Sequence, residues 1–405
     1  MNFSLPAEIE KVRLATRAFI ETDVLPLETD RNNYDEHENI RLEVLDRVRA
    51  KAKAAKLWAP QMPKARGGLE LPVVGWAAVY EEANRSIFGP VALNCAAPDD
   101  GNMSLLNRVL PDDAMKDKWL QPIIDGRVHS AFAMTEPAPG SGSDPAGMML
   151  TRADRRGGKY VIHGRKWFIS GAAVARHFIL VARTSEDRRR GLSAFIFHRD
   201  EPGWRILRRI DIMGPQEHGG VCELEFNGLE IPAEQRLLEE GDGLRLTQTR
   251  LGPARLTHCM RWLGLAKRCL EEASAYVSNR RAFGTSLAER ESVQLMLADV
   301  ARDIHTGRLL TMHAAWLIDK GGQAQKEVSM AKIHVADTLH KAADRALQLL
   351  GAKGYSKDTV VEWIYRYARA ARLVDGASEV HGMVLARHYA KLKDDFWRWG
   401  SEQTP

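Results

Sequence analysis

The chain has 405 residues, enough for two or three domains that each bury a core. Hydrophobic residues make up 44% and charged residues 27%, an ordinary soluble globular balance that argues against a disordered or membrane-embedded protein. The net charge of +5 is spread in short clusters such as Asp187-Arg188-Arg189-Arg190, without the one-sided basic face of a nucleic-acid binder, and suits an enzyme of anionic, phosphate-bearing ligands. No stretch approaches the ~20 apolar residues of a membrane span, and the N-terminal segment is too charged for a signal peptide, so a cytoplasmic protein is expected. Cys95, Cys222, Cys259 and Cys269 have neither CxxC nor metal-ligand spacing and read as buried free thiols; no metal site is expected.

Residues up to about 130 read as helical. Val12, Ala15, Phe19 and Ile20 fall at helical spacing, as do Leu42, Leu45, Val48 and Ala52. Loops are predicted at Pro60–Pro63 and Ala97–Gly101. From about Ala131 to Gly241 short β-rich runs alternate with turns: Lys159–His163, His177–Thr184, Leu192–His198, Trp204–Ile210 and Val221–Phe226. This predicts a compact antiparallel sheet or barrel. After Gly241 the period is helical again, with Leu256, Met260, Leu263, Leu270 and Val277 on one face and Val328, Met330, Ile333, Leu339, Ala342, Ala346 and Leu349 on another, implying a helical bundle.

The β segment opens with Ala131-Phe132-Ala133-Met134-Thr135-Glu136-Pro137-Ala138-Pro139-Gly140-Ser141-Gly142-Ser143-Asp144. A loop so rich in Gly and Ser exposes backbone N–H groups and hydroxyls, which suits a phosphate or a polar ring edge; by composition alone it also fits a flexible surface turn. The run Thr-Glu-Pro followed by Gly-Ser-x-Ser-Asp resembles the acyl-CoA dehydrogenase family, in which this stretch contacts the flavin and the acyl-CoA. The resemblance implies cofactor contacts from Phe132, Met134 and Thr135. It leaves both Ser141 and Ser143 as candidates for the loop's contacts to cofactor and substrate, with Ser143, next to Asp144, the favoured one.

Gly164-Arg165-Lys166-Trp167-Phe168-Ile169-Ser170-Gly171 is similar to the family's Gly-x-Lys-x-Trp-Ile-Thr segment. Phe168 then stands for the Trp that packs on the flavin, Ile169 follows it, and Ser170 replaces the Thr whose hydroxyl bonds near flavin N5. An aromatic face and a hydroxyl are both retained. Met213-Gly214 and Asn227–Pro232 resemble the strands that close the family's β domain. Arg280-Arg281-Ala282-Phe283-Gly284 resembles its Arg-x-x-Phe-Gly motif, which implies that Arg280 and Phe283 meet the FAD of a neighbouring subunit; a guanidinium suits a pyrophosphate. Glu291 holds the place of a common Gln, with Gln294 close by. Gln348-Leu349-Leu350-Gly351-Ala352-Lys353-Gly354 matches the Gln-x-x-Gly-Gly-x-Gly run and places Gln348 and Gly351 at the cofactor.

The family's reaction needs a carboxylate that removes the α-proton while hydride leaves the β-carbon. The corresponding segment reads Leu373-Val374-Asp375-Gly376-Ala377-Ser378-Glu379, and Asp375 falls at the base position. By the same resemblance Gly376 meets the substrate and Ala377 and Glu379 meet the cofactor. Taken alone, Asp375-Gly376 reads as a turn or a helix N-cap. A second lineage places its base one residue before a substrate-contacting Arg; here that Arg is Arg255 and its predecessor is Ala254, which closes the alternative. The Asp base, with Asn94–Asn102 upstream, resembles the branch whose animal members carry an added kinase-like domain and is associated with long, branched or 4-hydroxylated acyl chains.

The expectation is therefore an α+β multidomain chain: an N-terminal all-α domain (1–130), a central antiparallel β domain (131–241) and a C-terminal four-helix bundle (242–405). The implied activity is FAD-dependent conversion of an acyl-CoA to the trans-2-enoyl-CoA by a homodimer or homotetramer, with electrons passed to an electron-transfer flavoprotein. A same-fold flavin oxidase, a reduced-flavin monooxygenase and a catalytically inactive CoA-binding protein are the rivals.

Overall fold

A computed structural model describes residues 4–216 and 218–398. In chain order the principal helices before the sheet are α1 (Ala7–Phe19), α2 (Leu42–Ala54), α3 (Val73–Ala83) and α4 (Asp99–Val109). Strands β1 (His129–Ala133), β2 (Arg152–Arg156), β3 (Lys159–Ser170), β4 (Ala175–Arg183), β5 (Leu192–His198), β6 (Trp204–Arg209), β7 (Val221–Pro232) and β8 (Arg236–Leu237) follow. Then come α5 (Gly243–Asn279), a small hairpin of β9 (Arg281–Ala282) and β10 (Thr285–Ser286), α6 (Glu291–Asp319), α7 (Gln325–Leu350), α8 (Val361–Ala368) and α9 (Ser378–Leu392). The helical–β–helical order is the one predicted. The predicted loop at Ala97–Gly101 differs, because Asp99 already begins α4. No described helix is long and apolar enough to cross a membrane.

The chain divides into two compact units. The first comprises residues 1–61, 69–95 and 254–405, its described elements helical apart from the β9–β10 hairpin; the second comprises 62–68 and 96–253 and holds the sheet. In the first unit α7 packs against α6, α8 and α9. It does so with a face rich in small residues, in which Ala331, Ala336, Ala342, Ala343 and Ala346 are buried beside Val335 and Leu339. Gly264 lets α5 approach the end of α3: a Cβ there would lie 2.3 Å from the carbonyl oxygen of Glu81.

In the second unit the strand order is β6-β7-β3-β2-β4-β5-β8, with β1 on β4. The sheet is mixed where a purely antiparallel one was expected. β1 runs parallel to β4, and β2 meets β4 in parallel through Arg152 and Arg183, because the β2–β3 hairpin separates β1 from β4 along the chain. β4 and β5 are buried on nearly every residue, which is why they read as continuous apolar runs instead of alternating. Phe178 stacks on Phe197 with centroids 5.0 Å apart, inside a core that also holds Tyr160, Phe195, Leu224 and Phe226. Edge strand β6 is charged: Arg205 pairs with Glu225 and Arg208 with Glu223 across to β7. Met213-Gly214, expected to resemble a closing strand, lies in a loop between β6 and β7, and Met213 is exposed.

β3 continues to Ser170, well beyond the predicted end at His163. Its pairing with β7 shifts register between Lys166 and Ile169, so the strand survives a break in its apolar alternation. All four cysteines are free and buried, and burial pushes the Cys259 and Cys269 thiols up to about 12.

Candidate active site

In the first unit the segment between α8 and α9 makes a tight turn at Asp375 and Gly376, both left-handed with φ of 51° and 99°. A glycine is required at the second position, since a Cβ would stand 3.1 Å from His381 Nε2. The turn's backbone is held from three helices. Arg255 on α5 donates from Nε to the carbonyl oxygen of Asp375 at 2.9 Å. The fully buried Lys332 on α7 donates to the carbonyl oxygens of Ala371 and Gly376 at 2.9 and 2.8 Å. His381 on α9 reaches Asp375 O at 3.3 Å through Nε2 and Ser329 Oγ at 3.1 Å through Nδ1.

Because a carbonyl only accepts, the His381 hydrogen belongs on Nε2 and Nδ1 accepts from the serine. Burial, reinforced by the nearby Arg255 and Lys332 charges, pushes His381 down to about 4, so the ring is neutral near pH 7. Burial likewise lowers the Lys332 ammonium from its ordinary value, against the upward pull of Cys259 and Asp375. The Asp375 carboxylate is one-fifth exposed, and its Oδ2 lies 3.2 Å from Nε2 of His258 on α5. A one-fifth-exposed carboxylate on a turn whose backbone oxygens are held by nitrogen donors can take a proton from a ligand held against it.

Of the residues predicted from sequence, the structure gathers Asp375, Gly376 and Arg255 here. Ala377 caps α9 beside them and Glu379 lies exposed in its first turn, near enough for its charge to act on Lys332. Arg280, Phe283 and Glu291 lie elsewhere in the unit, around the β9–β10 hairpin and the start of α6. Phe283 is 95% exposed in a left-handed conformation, and Arg290 braces it through the carbonyl oxygens of Ala282 and Phe283. Gln348 and Gly351 form the exposed end of α7. Nothing in the sequence reading singled out His258, Lys332 or His381. For His258 a signal existed: it follows Arg255 by three positions on a helix, hence on the same face.

In the second unit the Thr-Glu-Pro run is anchored through its central residue. Glu136 is buried and accepts from the backbone N–H groups of Leu150 and Thr151 at 2.7 and 2.9 Å and from Lys166 Nζ at 2.9 Å. Burial raises the Glu136 carboxyl, but Lys166 and the amides pull it below its ordinary value. Lys166 itself is pushed down to about 8 by burial against that attraction. Thr135 Oγ1 donates to the carbonyl oxygen of Trp167 at 2.6 Å, and Trp167 N–H donates back to Thr135 O at 2.9 Å. This double link ties the Thr135 loop to the register shift in β3, where Phe168 takes a φ of 52° and leaves its ring 47% exposed.

Phe132, Met134, Thr135 and Ser170 are half-buried around this loop and strand end, whereas the Ile169 side chain is buried in the sheet core. Ser143 is exposed. Ser141 is buried, and its hydroxyl has no hydrogen-bond partner.

The acyl-CoA dehydrogenase N-terminal, middle and C-terminal domain models match residues 6–127, 131–229 and 241–390. Over 398 residues the chain is 37% identical to the probable acyl-CoA dehydrogenase FadE2 of Mycobacterium tuberculosis, covering 96% of both. Over 393 residues it is 35% identical to acyl-CoA dehydrogenase family member 11 of Rattus norvegicus, covering 93% of this chain but 50% of that protein. A solved putative acyl-CoA dehydrogenase from Mycobacterium abscessus superposes with a TM-score of 0.88 at 34% identity, over 96% of this chain and 99% of that one.

Proposed function

Because the chain belongs to the acyl-CoA dehydrogenase family, we propose that it oxidises the Cα–Cβ bond of an acyl-CoA with Asp375 as the base. The observation that carries this reading is the braced turn. Arg255, Lys332 and His381 hold its backbone oxygens, so the partly exposed carboxylate keeps its place while a proton moves to it. Asp375 takes the α-proton of the thioester. Arg255 and Ser143 position the CoA ester, and Gly376 leaves room for it. Of the two loop serines Ser143 is the exposed one, which favours it for ligand contact.

The residues present fit a flavin. The half-exposed Phe168 ring, lifted by a left-handed backbone, offers a face to a planar ring system, and the Ser170 hydroxyl stands two residues on. FAD, when bound, supplies the hydride acceptor for the β-carbon. Phe132, Met134, Thr135, Phe168, Ser170 and the backbone at Ile169 would hold its ring. Arg280, Phe283, Glu291, Gln348, Gly351, Ala377 and Glu379 would complete its site. The exposed Arg280 and Phe283 fit contact with a neighbouring subunit's cofactor in a homodimer or homotetramer, and domain limits near 130 and 241 follow the same reading. An electron-transfer flavoprotein is the proposed acceptor.

The test is a panel of acyl-CoAs with an artificial electron acceptor, comparing the wild type with Asp375→Asn. The variant should keep its yellow flavin band and lose at least about a hundredfold in turnover. Unchanged turnover means that another group is the base. Peroxide formed from oxygen without a carrier points instead to an oxidase, and a protein that binds no FAD points to a non-enzymatic role.

A further inference from the structure

We propose that Arg250 is the positioning residue of the Phe132 ring, fixing the surface that this ring offers to the flavin; the inference rests on the flavin reading of Phe132. The two residues meet within the sheet unit, where the guanidinium carbon of Arg250 stands 5.0 Å from the Phe132 ring centroid, a cation over an aromatic face. Arg250 is buried, and its Nε donates to Asn102 Oδ1 at 3.3 Å. Gly101 makes room for it, since a Cβ there would lie 3.2 Å from Arg250 Nε and 3.3 Å from the guanidinium carbon.

A chain of buried polar groups sets the aim of Arg250. β1 turns Ala131 and Ala133 into the sheet core, so Ser130 and Phe132 share its other face. Against Ser130 lie Asp99 and Asn102, at i and i+3 of α4 and therefore on one side of that helix. Asp99 Oδ1 accepts from the Ser130 backbone N–H at 2.7 Å and from its hydroxyl at 2.6 Å. With its hydrogen so committed, Ser130 Oγ accepts from Asn102 Nδ2 at 2.9 Å, and an amide turned this way presents Oδ1 to Arg250. Burial pushes the Asp99 carboxyl up, but His129 and Ser130 pull it below its ordinary value, so the head of the chain stays an acceptor.

A half-buried phenyl ring without such a partner turns about its side-chain bonds, and a cofactor docking on it must first order it. The guanidinium confines the ring beforehand. With that cation over one face, a flavin meets the ring's other face or its edge.

Titration of flavin-free protein with FAD tests this without turnover. Arg250→Met and Phe132→Leu should each weaken FAD binding about tenfold, and the double variant should also lose only about tenfold, because without the ring Arg250 has nothing to act through. Arg250→Lys keeps a cation but not the guanidinium fork, and should fall between Arg250→Met and the wild type. Losses that multiply to about a hundredfold in the double variant overturn this proposal alone, as does unchanged affinity in Arg250→Met. Wild-type protein that takes up no FAD overturns the flavin reading and this proposal with it. Should Arg250→Met fail to fold, arginine-15N spectra of the flavin-free wild type decide. The Arg250 Nε hydrogen should be shielded by the Phe132 ring and move downfield in Phe132→Leu; a resonance that Phe132→Leu leaves in place overturns the proposal.

Discussion

Lys332 Nζ donates to the carbonyl oxygen of Gly376 at 2.8 Å, and the same ammonium holds Ala371 O at 2.9 Å. One buried cation thus spans the turn that presents Asp375, joining it to the N-terminal third of α7. Methionine at position 332 would keep most of the side-chain volume and leave both carbonyl oxygens without this donor. Lys332→Met should cost about 2–3 kcal/mol of stability and lower turnover. Thermal melts and steady-state rates check this; a variant that melts and turns over like the wild type would show that the turn supports itself.

Gly376→Ala tests the same turn from the backbone. The position has a φ of 99°, and an added methyl carbon would stand 3.1 Å from His381 Nε2. Either the turn changes conformation or His381 gives way, and both move the Asp375 carbonyl that Arg255 and His381 share. A loss of turnover of at least about tenfold is expected with a smaller loss of stability, about 1–2 kcal/mol, because the strain is local. Full activity in this variant would show that the turn's geometry does not limit the reaction.

The turn at Asp375 and Gly376 was legible because a motif surrounds it; Lys332 and His381, which hold it, were not. Lys332 lies more than forty residues earlier, on a helix whose apolar face makes it look like a solvated interruption, and only packing of α7 against the turn reveals it as buried. The strand at Lys159 was predicted to stop at His163, since Gly164-Arg165-Lys166 breaks the alternation of a half-buried strand. It continues because Lys166 turns inward to Glu136, a partner thirty positions away that no local period encodes. The helices α5 and α7 and strands β4, β5 and β7 were readable from pattern, since apolar periodicity is a local property. The parallel pairing of β1 with β4 was not, because direction depends on which strands become neighbours.

Stability should fall as the solution is acidified, through two buried histidines. His381 in the helical unit and His177 in the sheet unit are both pushed down to about 4, chiefly by burial. In the unfolded chain each titrates near ~6.5, so below that pH the unfolded state binds protons that the folded state refuses. The contribution is fully present above about pH 6.5 and is lost progressively as pH falls toward about 4. Melting temperature should therefore drop between pH 7 and 5, and His381→Gln should flatten part of the slope. An equally steep slope in that variant would exclude His381 as a source.

The pair formed by Glu136 and Lys166 should matter more than its place outside the Asp375 turn implies. Both side chains are almost fully buried at 2.9 Å, and Glu136 also accepts from two loop amides. Lys166→Met removes the cation and leaves a buried carboxylate facing amides alone. Breaking a buried pair from one side costs about 3–5 kcal/mol, since the remaining charge is uncompensated. Glu136→Leu is harsher, because it also strips the Leu150 and Thr151 N–H groups of their acceptor. The double variant Glu136→Leu/Lys166→Met should be less destabilised than the sum of the singles, while still short of the wild type on account of those amides. Flavin content should fall in all three, because the Thr135 loop that Glu136 anchors carries proposed cofactor contacts. Thermal unfolding and the flavin absorbance of the purified proteins measure both effects. Single variants that cost under about 1 kcal/mol and retain their flavin would mean that the loop is held by Thr135 and Trp167 without the buried pair.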